Sequence, residues 1–496
     1  MFSRIETKWL IAIAFVMGLF MEILDMTVLN TALPTIGRDF GADASTLQFV
    51  LTGYLVSLAI FIPASGWVAD RFGTKWTFAF AIAVFTGASA LVGASQSMEM
   101  LIAARVLQGV GGGMLIPVGT TMLFRAFPSN ERAKASAVLS IPIMIAPAPG
   151  PILGGWLTDN VSWRWIFYLN LPIGLAALLF TLTFVPNQRE ETTKRFDLAG
   201  FILAGAGLSS LLVGLERAPS HGWSDVGTFG LTIAGAILIA LFIVVELRIK
   251  EPLLDLRLLK DRNFAAGNLT ILVSTGALMG MLFLVPLLLQ QVMGLDATQS
   301  GLVTLAQVIG MMLVMPFGAK LYPVLGARHM MAVGFGILAV AIFAFSTLSM
   351  DSSLWAFRGL LFIVGVAMAL IMVPSQTATF ETISSHDTAN ASSLYSTMRQ
   401  FASAAGVALL STVLATRINA NISSLDSAAT PIAQAGAMFS GYEQTFIVSA
   451  VIALLGVAVV FAFRKSTGTN SPSSPTSVVP GTEQEAAGQP AMSMAH

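Results

Sequence analysis

Residues 22–34 read EILDMTVLNTALP, and they follow an unbroken apolar run, WLIAIAFVMGLFM (9–21). Two acids, Glu22 and Asp25, stand three positions apart inside what reads as a membrane helix. A charge at the centre of such a helix costs about 2.5–3.5 kcal/mol or more. Residues three apart share a helix face. The pair therefore predicts a helix that turns one polar face to a cavity and the rest to apolar surroundings.

The whole chain has the same character. It has 496 residues, 55% hydrophobic and only 10% charged, with a mean hydropathy of +0.79. Soluble domains carry about 25% charged residues. Uncharged stretches recur, each near or above the roughly 20 residues that cross a bilayer as a helix. The short alternating segments of an outer-membrane barrel are missing. The expected fold class is all-α, a polytopic membrane protein of about 14 transmembrane helices. The formal net charge is zero, with 26 basic and 26 acidic residues, so no nucleic-acid partner is indicated. There are no cysteines, which excludes disulfides, thiolate metal sites and a cysteine nucleophile. The apolar run after MFSRIETK is too long for a signal peptide and lacks a small-residue cleavage site, so a retained first helix is expected.

Breaks marked by charge, Pro or Gly place the spans at 9–31, 46–67, 76–96, 100–124, 134–157, 164–185, 198–216, 226–247, 265–290, 298–319, 329–349, 354–380, 396–416 and 442–463. With the N-terminus inside, 20 of the 26 Lys and Arg residues fall on inner loops and tails, Arg399 among them, and five fall outside. Arg105 lies within a span. The asymmetry follows the positive-inside rule and predicts both termini in the cytoplasm. The longest loops, about 248–264 and 417–441, are too short for a soluble catalytic domain. No G-x-x-x-x-G-K-[ST] motif is present, so an ion gradient rather than ATP is the expected energy source. The Ser/Pro/Gly/Thr-rich tail from 466 is expected to be disordered.

An internal repeat is faintly visible. GWVADRFGTKW (66–76) and FGAKLYPVLGAR (317–328) each carry two bracketing glycines, Gly66 with Gly73 and Gly318 with Gly326. Arg105 and Arg358 follow them at nearly equal distances. The expected organisation is an N-terminal six-helix bundle (1–186), a linker with two inserted helices (187–262), a C-terminal six-helix bundle (263–465) and a tail (466–496). Repeats of this kind are typical of secondary transporters, with the substrate between them.

Three motifs carry chemistry, and each has a plainer reading. In GWVADRFGTK, Asp70 can pair with Arg71 or cap the next helix; alternatively this is a solvated turn with weak surface pairs. In RVLQGVGGGMLIP (105–117), Arg105 needs a partner or a water-filled cavity, or it snorkels to the outer surface. The spacing of Gly109 and Gly113 allows close helix approach. In APAPGPILGGWL (146–157), Gly150 and Gly154 offer a second close-packing face, or the prolines only kink a packing helix.

In this order, the motifs resemble those of the major facilitator superfamily. LDMTVLNTALP (24–34), WRWIFYLNLPIG (163–174), FDLAG (196–200), EPLLDLRLL (251–259) and NASSLYSTMRQ (390–400) narrow the resemblance to its fourteen-helix drug/proton antiporters, over residues 9 to about 464. The resemblance implies proton coupling and cation recognition at Asp25 and proton transfer at Arg105. It implies a gating loop at Gly66, Asp70, Arg71 and Gly73, holding the outward-facing state. It also implies an antiporter helix at Gly150, Pro151, Gly154 and Gly155. Ala146 stands where that helix motif often has glycine, and Thr74 replaces a common base in the gating loop. Glu22 is not acidic throughout the family.

Close carboxylates resist ionising together. Glu22 and Asp25 in one cavity would hold a proton until a lipophilic cation displaced it, which is antiport in its simplest form. Alternatively, Glu22 faces outer water or pairs with Arg105. Met17, Met21, Met26, Phe15 and Phe20 nearby suit varied organic cations, or serve packing alone. The expected function is proton-coupled export of lipophilic, cationic drugs by alternating access across a bacterial inner membrane. The alternative is a dedicated exporter of one native metabolite or anionic compound. No signalling domain supports a receptor. No metal cluster or cofactor motif supports an enzyme, and the four histidines, His221, His329, His386 and His496, lie in loops, span ends or the tail. The sequence names no accessory export protein.

Overall fold

The computed structural model describes residues 6–127, 146–189, 196–222, 224–384, 387–425 and 430–463. The expected tail and the start of the fifth span (134–145) lie outside the described residues, as do His386 and His496. Among the described residues, 13 helical segments are long and apolar enough to cross a membrane. A bilayer has no water to satisfy stray backbone groups, so a chain of this composition closes its hydrogen bonds within helices.

The order is α1 (Thr7–Phe40), α2 (Ala44–Phe72), α3 (Thr74–Gly93), α4 (Met98–Ala126), α5 (Pro149–Asn160), α6 (Arg164–Tyr168), α7 (Asn170–Phe184), α8 (Leu198–His221), α9 (Val226–Arg248), α10 (Arg262–Leu287), α11 (Ala297–Phe345), α12 (Leu354–Phe380), α13 (Thr388–Ser423) and α14 (Pro431–Val460). α6 and α7 together make one span, Arg164–Phe184, and α11 holds two, Ala297–Gly318 and Val324–Phe345. With α5 as the end of the fifth span, these match the fourteen expected segments. Many of the scarce acids cap helix N-termini, where the helix dipole favours negative charge. Asp43, Asp197, Asp225, Asp261 and Asp296 each accept a first-turn N–H.

Several helices outrun the apolar runs. α13 and α14 fill most of the expected 417–441 loop, because polar residues such as Asn419, Asn421 and Gln434 continue a helix beyond the bilayer core. α13 also starts earlier than expected, at Thr388, so Arg399 lies well inside it rather than in an inner loop.

Both halves of the faint repeat turn on a glycine. Gly73 joins α2 to α3 with φ +94°, and Gly326 breaks α11 with φ +71°. Only glycine adopts such values without strain. Gly66 is exposed with open space beside it. The arginines do not correspond. Arg105 is fully buried, whereas Arg358 lies in the first turns of α12 and stacks on Trp355 at 4.7 Å.

α1 packs on α4, α5 and α7, and α4 packs on α2 and α3. α10 packs on α12, α13 and α14, and α11 on α12 and α14. The two groups meet where α2 crosses α13 and where α5 crosses α11. α8 and α9 pair with each other, and α8 also touches α2 and α13. α9 leaves Ile233, Ile237, Leu241 and Leu247 exposed, an apolar face suited to lipid.

The ends of α1 define two faces. At the far face, where α1 ends, Asp39 accepts from Trp163 Nε1 at 2.7 Å. There the two groups of helices are joined by hydrogen bonds. Gln290 Nε2 donates to Thr31 O at 2.8 Å. Asp159 accepts from the backbone N–H of Ala297 at 3.1 Å and of Thr298 at 2.6 Å, and from the Thr298 hydroxyl at 2.5 Å.

Candidate functional site

Asp25 sits midway along α1 and is 1% exposed. Arg105 on α4 is fully buried, so it does not snorkel. Its Nη1 lies 2.6 Å from Asp25 Oδ2. Gln108, one helical turn after Arg105, donates to Asp25 Oδ1 at 3.0 Å and accepts from Arg105 Nη1 at 2.6 Å. Asn170 at the start of α7 donates to the same Asp25 oxygen at 2.8 Å and to Ser89 Oγ at 3.0 Å. Arg105 Nε donates to Val50 O at 3.3 Å, and the guanidinium lies 4.3 Å from the Tyr54 ring. These bonds meet most of the remaining valences, as a buried ion pair requires, and Arg105 Nη2 is left buried without a hydrogen-bond partner.

The two acids do not share one cavity wall. Asp25 is enclosed by Arg105, Gln108 and Asn170. Glu22, a turn earlier and 3% exposed, leaves Oε2 without a hydrogen-bond partner. It lines a small pocket with Ile62, Ile116, Ser396, Arg399 and Gln400. That pocket is built from α1, α2, α4 and α13, so it lies across the two groups of helices. Glu22 pairs neither with Arg105 nor with outer water; the charge sharing its pocket is Arg399.

The glycine spacing in α4 packs as expected. A side chain at Gly109 or Gly113 would strike α2 near Tyr54, Ser57 or Leu58. In α5, side chains at Gly150 and Gly154 would strike Thr27 and Val28 of α1, and one at Gly155 would strike Ala297 and Thr298 of α11. Gly301 of α11 abuts Pro151 O. The expected antiporter helix is thus wedged between α1 and α11, at the closed far face. At the near face, Asp70 pairs with Arg125 of α4 at 3.4 Å, not with Arg71. Arg71 is exposed. The loop itself shrinks to Gly73, since α2 runs to Phe72 and α3 begins at Thr74.

Sequence reasoning passed over Arg399 and Asn170. Each had a signal. Arg399 follows an apolar helix face in NASSLYSTMRQ, and Asn170 is a lone amide within the otherwise apolar IFYLNLPIG. Among the described residues, no group of His, Cys, Asp and Glu could hold a metal ion.

The comparisons agree with this architecture. The family model of the Major Facilitator Superfamily matches residues 15–407. The multidrug resistance protein B homolog of Mycobacterium tuberculosis (strain ATCC 25618 / H37Rv) is 36% identical over 400 residues, covering 80% of this chain and 74% of that protein. The uncharacterized MFS-type transporter YhcA of Bacillus subtilis (strain 168) is 32% identical over 400 residues, with 81% and 75% covered. Among solved structures, a bacterial homolog of the human lysosomal transporter Spinster, inward-facing and unoccupied, superposes with a TM-score of 0.61 at 14% identity, covering 92% of this chain and 98% of that one. A peptide transporter POT in complex with sulfate superposes with a TM-score of 0.64 at 16% identity, covering 91% and 95%.

Proposed function

This chain belongs to the major facilitator superfamily, and we propose that it is a proton-coupled exporter of lipophilic, cationic drugs in a bacterial inner membrane, with both termini cytoplasmic. Two six-helix bundles (1–186 and 263–465) rock about a central site, carrying the inserted linker helices (187–262) with them. The proton gradient supplies the energy, and no cofactor takes part. The M. tuberculosis relative is named for multidrug resistance, which supports the substrate class.

One observation carries the reading. Two acids three residues apart occupy different surroundings, one enclosed by an arginine and two amides and one unpaired beside a pocket. Asp25 is the proton site: a proton there neutralises the carboxylate and frees Arg105 from its ion pair. Glu22 is the cargo site: its spare carboxyl oxygen attracts a cation entering between α1 and α13. Asp70, Arg71, Gly66 and Gly73 form the near-face gate. Gly150, Pro151, Gly154 and Gly155 form the far-face seam that must part for release.

Arg399 favours a second reading. A cation beside Glu22 gives the pocket both signs, which would suit an anionic compound or a zwitterionic native metabolite. Proteoliposomes distinguish the two. A lipophilic cation such as ethidium should discharge an imposed pH gradient with wild type and fail with Asp25→Asn. Discharge by anionic compounds alone would reject the cationic reading in favour of the second.

A further inference from the structure

FDLAG (196–200) and EPLLDLRLL (251–259) flank the inserted helices, away from the pocket between the bundles. The structure brings them together. Asp197 caps α8, its Oδ1 accepting from Gly200 N at 2.9 Å. Glu246, in the last turn of α9 and 1% exposed, accepts from Leu254 N at 3.3 Å through Oε2. The other oxygen of each acid, Asp197 Oδ2 and Glu246 Oε1, is buried without a donor. Both crowd the same side of Gly200, where any side chain would collide with each, and the two acids lie within hydrogen-bonding reach of one another. Gly200 thus makes room for a meeting of two carboxyl groups.

Two facing carboxylates without a donor are untenable in an apolar setting, whereas a single proton between them satisfies both oxygens. We propose that Asp197 and Glu246 form a second proton-binding site, in which one shared proton clamps α8 to α9. The helix dipoles set the sense of the pair: Glu246 lies at the negative end of α9 and Asp197 at the positive end of α8. Among the described residues, the neighbouring charges are turned elsewhere. Arg257 donates to Leu247 O and Ile249 O, and Asp255 caps Arg257 N. Asp261 accepts from Phe264 N and the Thr382 hydroxyl, and Arg262 donates to Ala462 O. Arg248, Lys250 and Glu251 are exposed. Among the described residues, neither Asp197 nor Glu246 forms an ion pair. Phe242, Leu254, Phe264, Ala391 and Leu394 form one hydrophobic cluster, and Leu254 is the residue whose N–H meets Glu246. The clamp holds α8 to α9, so loss of the proton loosens the two inserted helices from one another.

The test uses the full chain in lipid nanodiscs, with Glu22 and Asp25 intact throughout. Thermal unfolding is followed from pH 5 to pH 9 for wild type, Glu246→Gln and Glu246→Ala. A glutamine donates to Asp197 at every pH. Wild type should therefore lose several degrees of melting temperature relative to Glu246→Gln as pH rises, and Glu246→Ala should be the least stable at low pH. Infrared spectra should show a carboxylic-acid carbonyl band in wild type that Glu246→Gln lacks. Parallel pH profiles for wild type and Glu246→Gln, or an unchanged infrared band, would overturn the proposal. So would stabilisation of wild type by sodium at fixed pH that Glu246→Gln abolishes, since the ligand would then be a metal cation. Proton-coupled drug transport is not needed for any of these readouts, so failure of the export reading leaves them intact.

Discussion

Asp25 and Arg105 lie 80 positions apart in the chain and 2.6 Å apart in the structure, both side chains wholly shielded from solvent. Removing one partner leaves the other charged and buried. Arg105→Gln should therefore cost about 3–5 kcal/mol of stability, read as a loss of melting temperature. The double variant Asp25→Asn/Arg105→Gln should recover part of that loss, because no buried charge is then stranded. Additive effects in this double-mutant cycle would mean that the pair is not coupled.

Glu22 and Arg399 should act in opposite senses on cargo. Arg399→Gln removes the competing cation from the pocket, so half-saturation for a lipophilic cation should fall about tenfold, equivalent to about 1.4 kcal/mol. Glu22→Gln should raise it and leave an anionic probe unaffected or improved. Competition transport assays with both probes decide the matter; equal responses of the two variants would remove Glu22 and Arg399 from cargo recognition.

Asp159 holds the start of α11 against α5 with three hydrogen bonds. A carboxylate at a helix N-terminus contributes about 0.3–1 kcal/mol beyond a neutral acceptor. Asp159→Asn should shift the population toward far-face opening. The chain has no cysteine, so single cysteines report cleanly. A cysteine at Thr31, beneath the Gln290 contact, should label faster from the far face in the Asp159→Asn background. Unchanged labelling would show that the seam is held by packing alone.

Asp70 and Arg125 are each 29% exposed and 3.4 Å apart. Such a pair contributes roughly 0–1 kcal/mol. Asp70→Asn should leave the melting temperature nearly unchanged while reducing transport several-fold, as a gate residue requires. A matching loss of both would mark it as a structural contact.

Much of this was legible in the chain. Hydropathy located the helices because the bilayer demands length and apolarity together. Gly73 and Gly326 were legible as turns because tight turns between successive helices need positive φ. Partners were harder to read. Nothing local to Asp70 points to Arg125, and nothing near Asp25 points to Asn170, since both contacts are long-range. Arg399 was counted with the inner-loop charges because it falls at the edge of the expected 396–416 span, whereas α13 begins earlier, at Thr388, on polar residues. Glu22 and Asp25 share a face by spacing, but only the packing of α4 and α13 decides that one is enclosed and the other open.

Among the described residues, the formal charges around the site sum to zero: Asp25 is ion-paired with Arg105, and Glu22 shares a pocket with Arg399. An empty carrier built this way offers the membrane potential almost nothing to pull on. Voltage therefore acts on what is bound. One monovalent cation leaving for one proton entering moves no net charge, so such an exchange runs on the pH gradient alone. A neutral cargo exchanged for a proton would be electrogenic, and each 100 mV of potential would then add about 2.3 kcal/mol of drive.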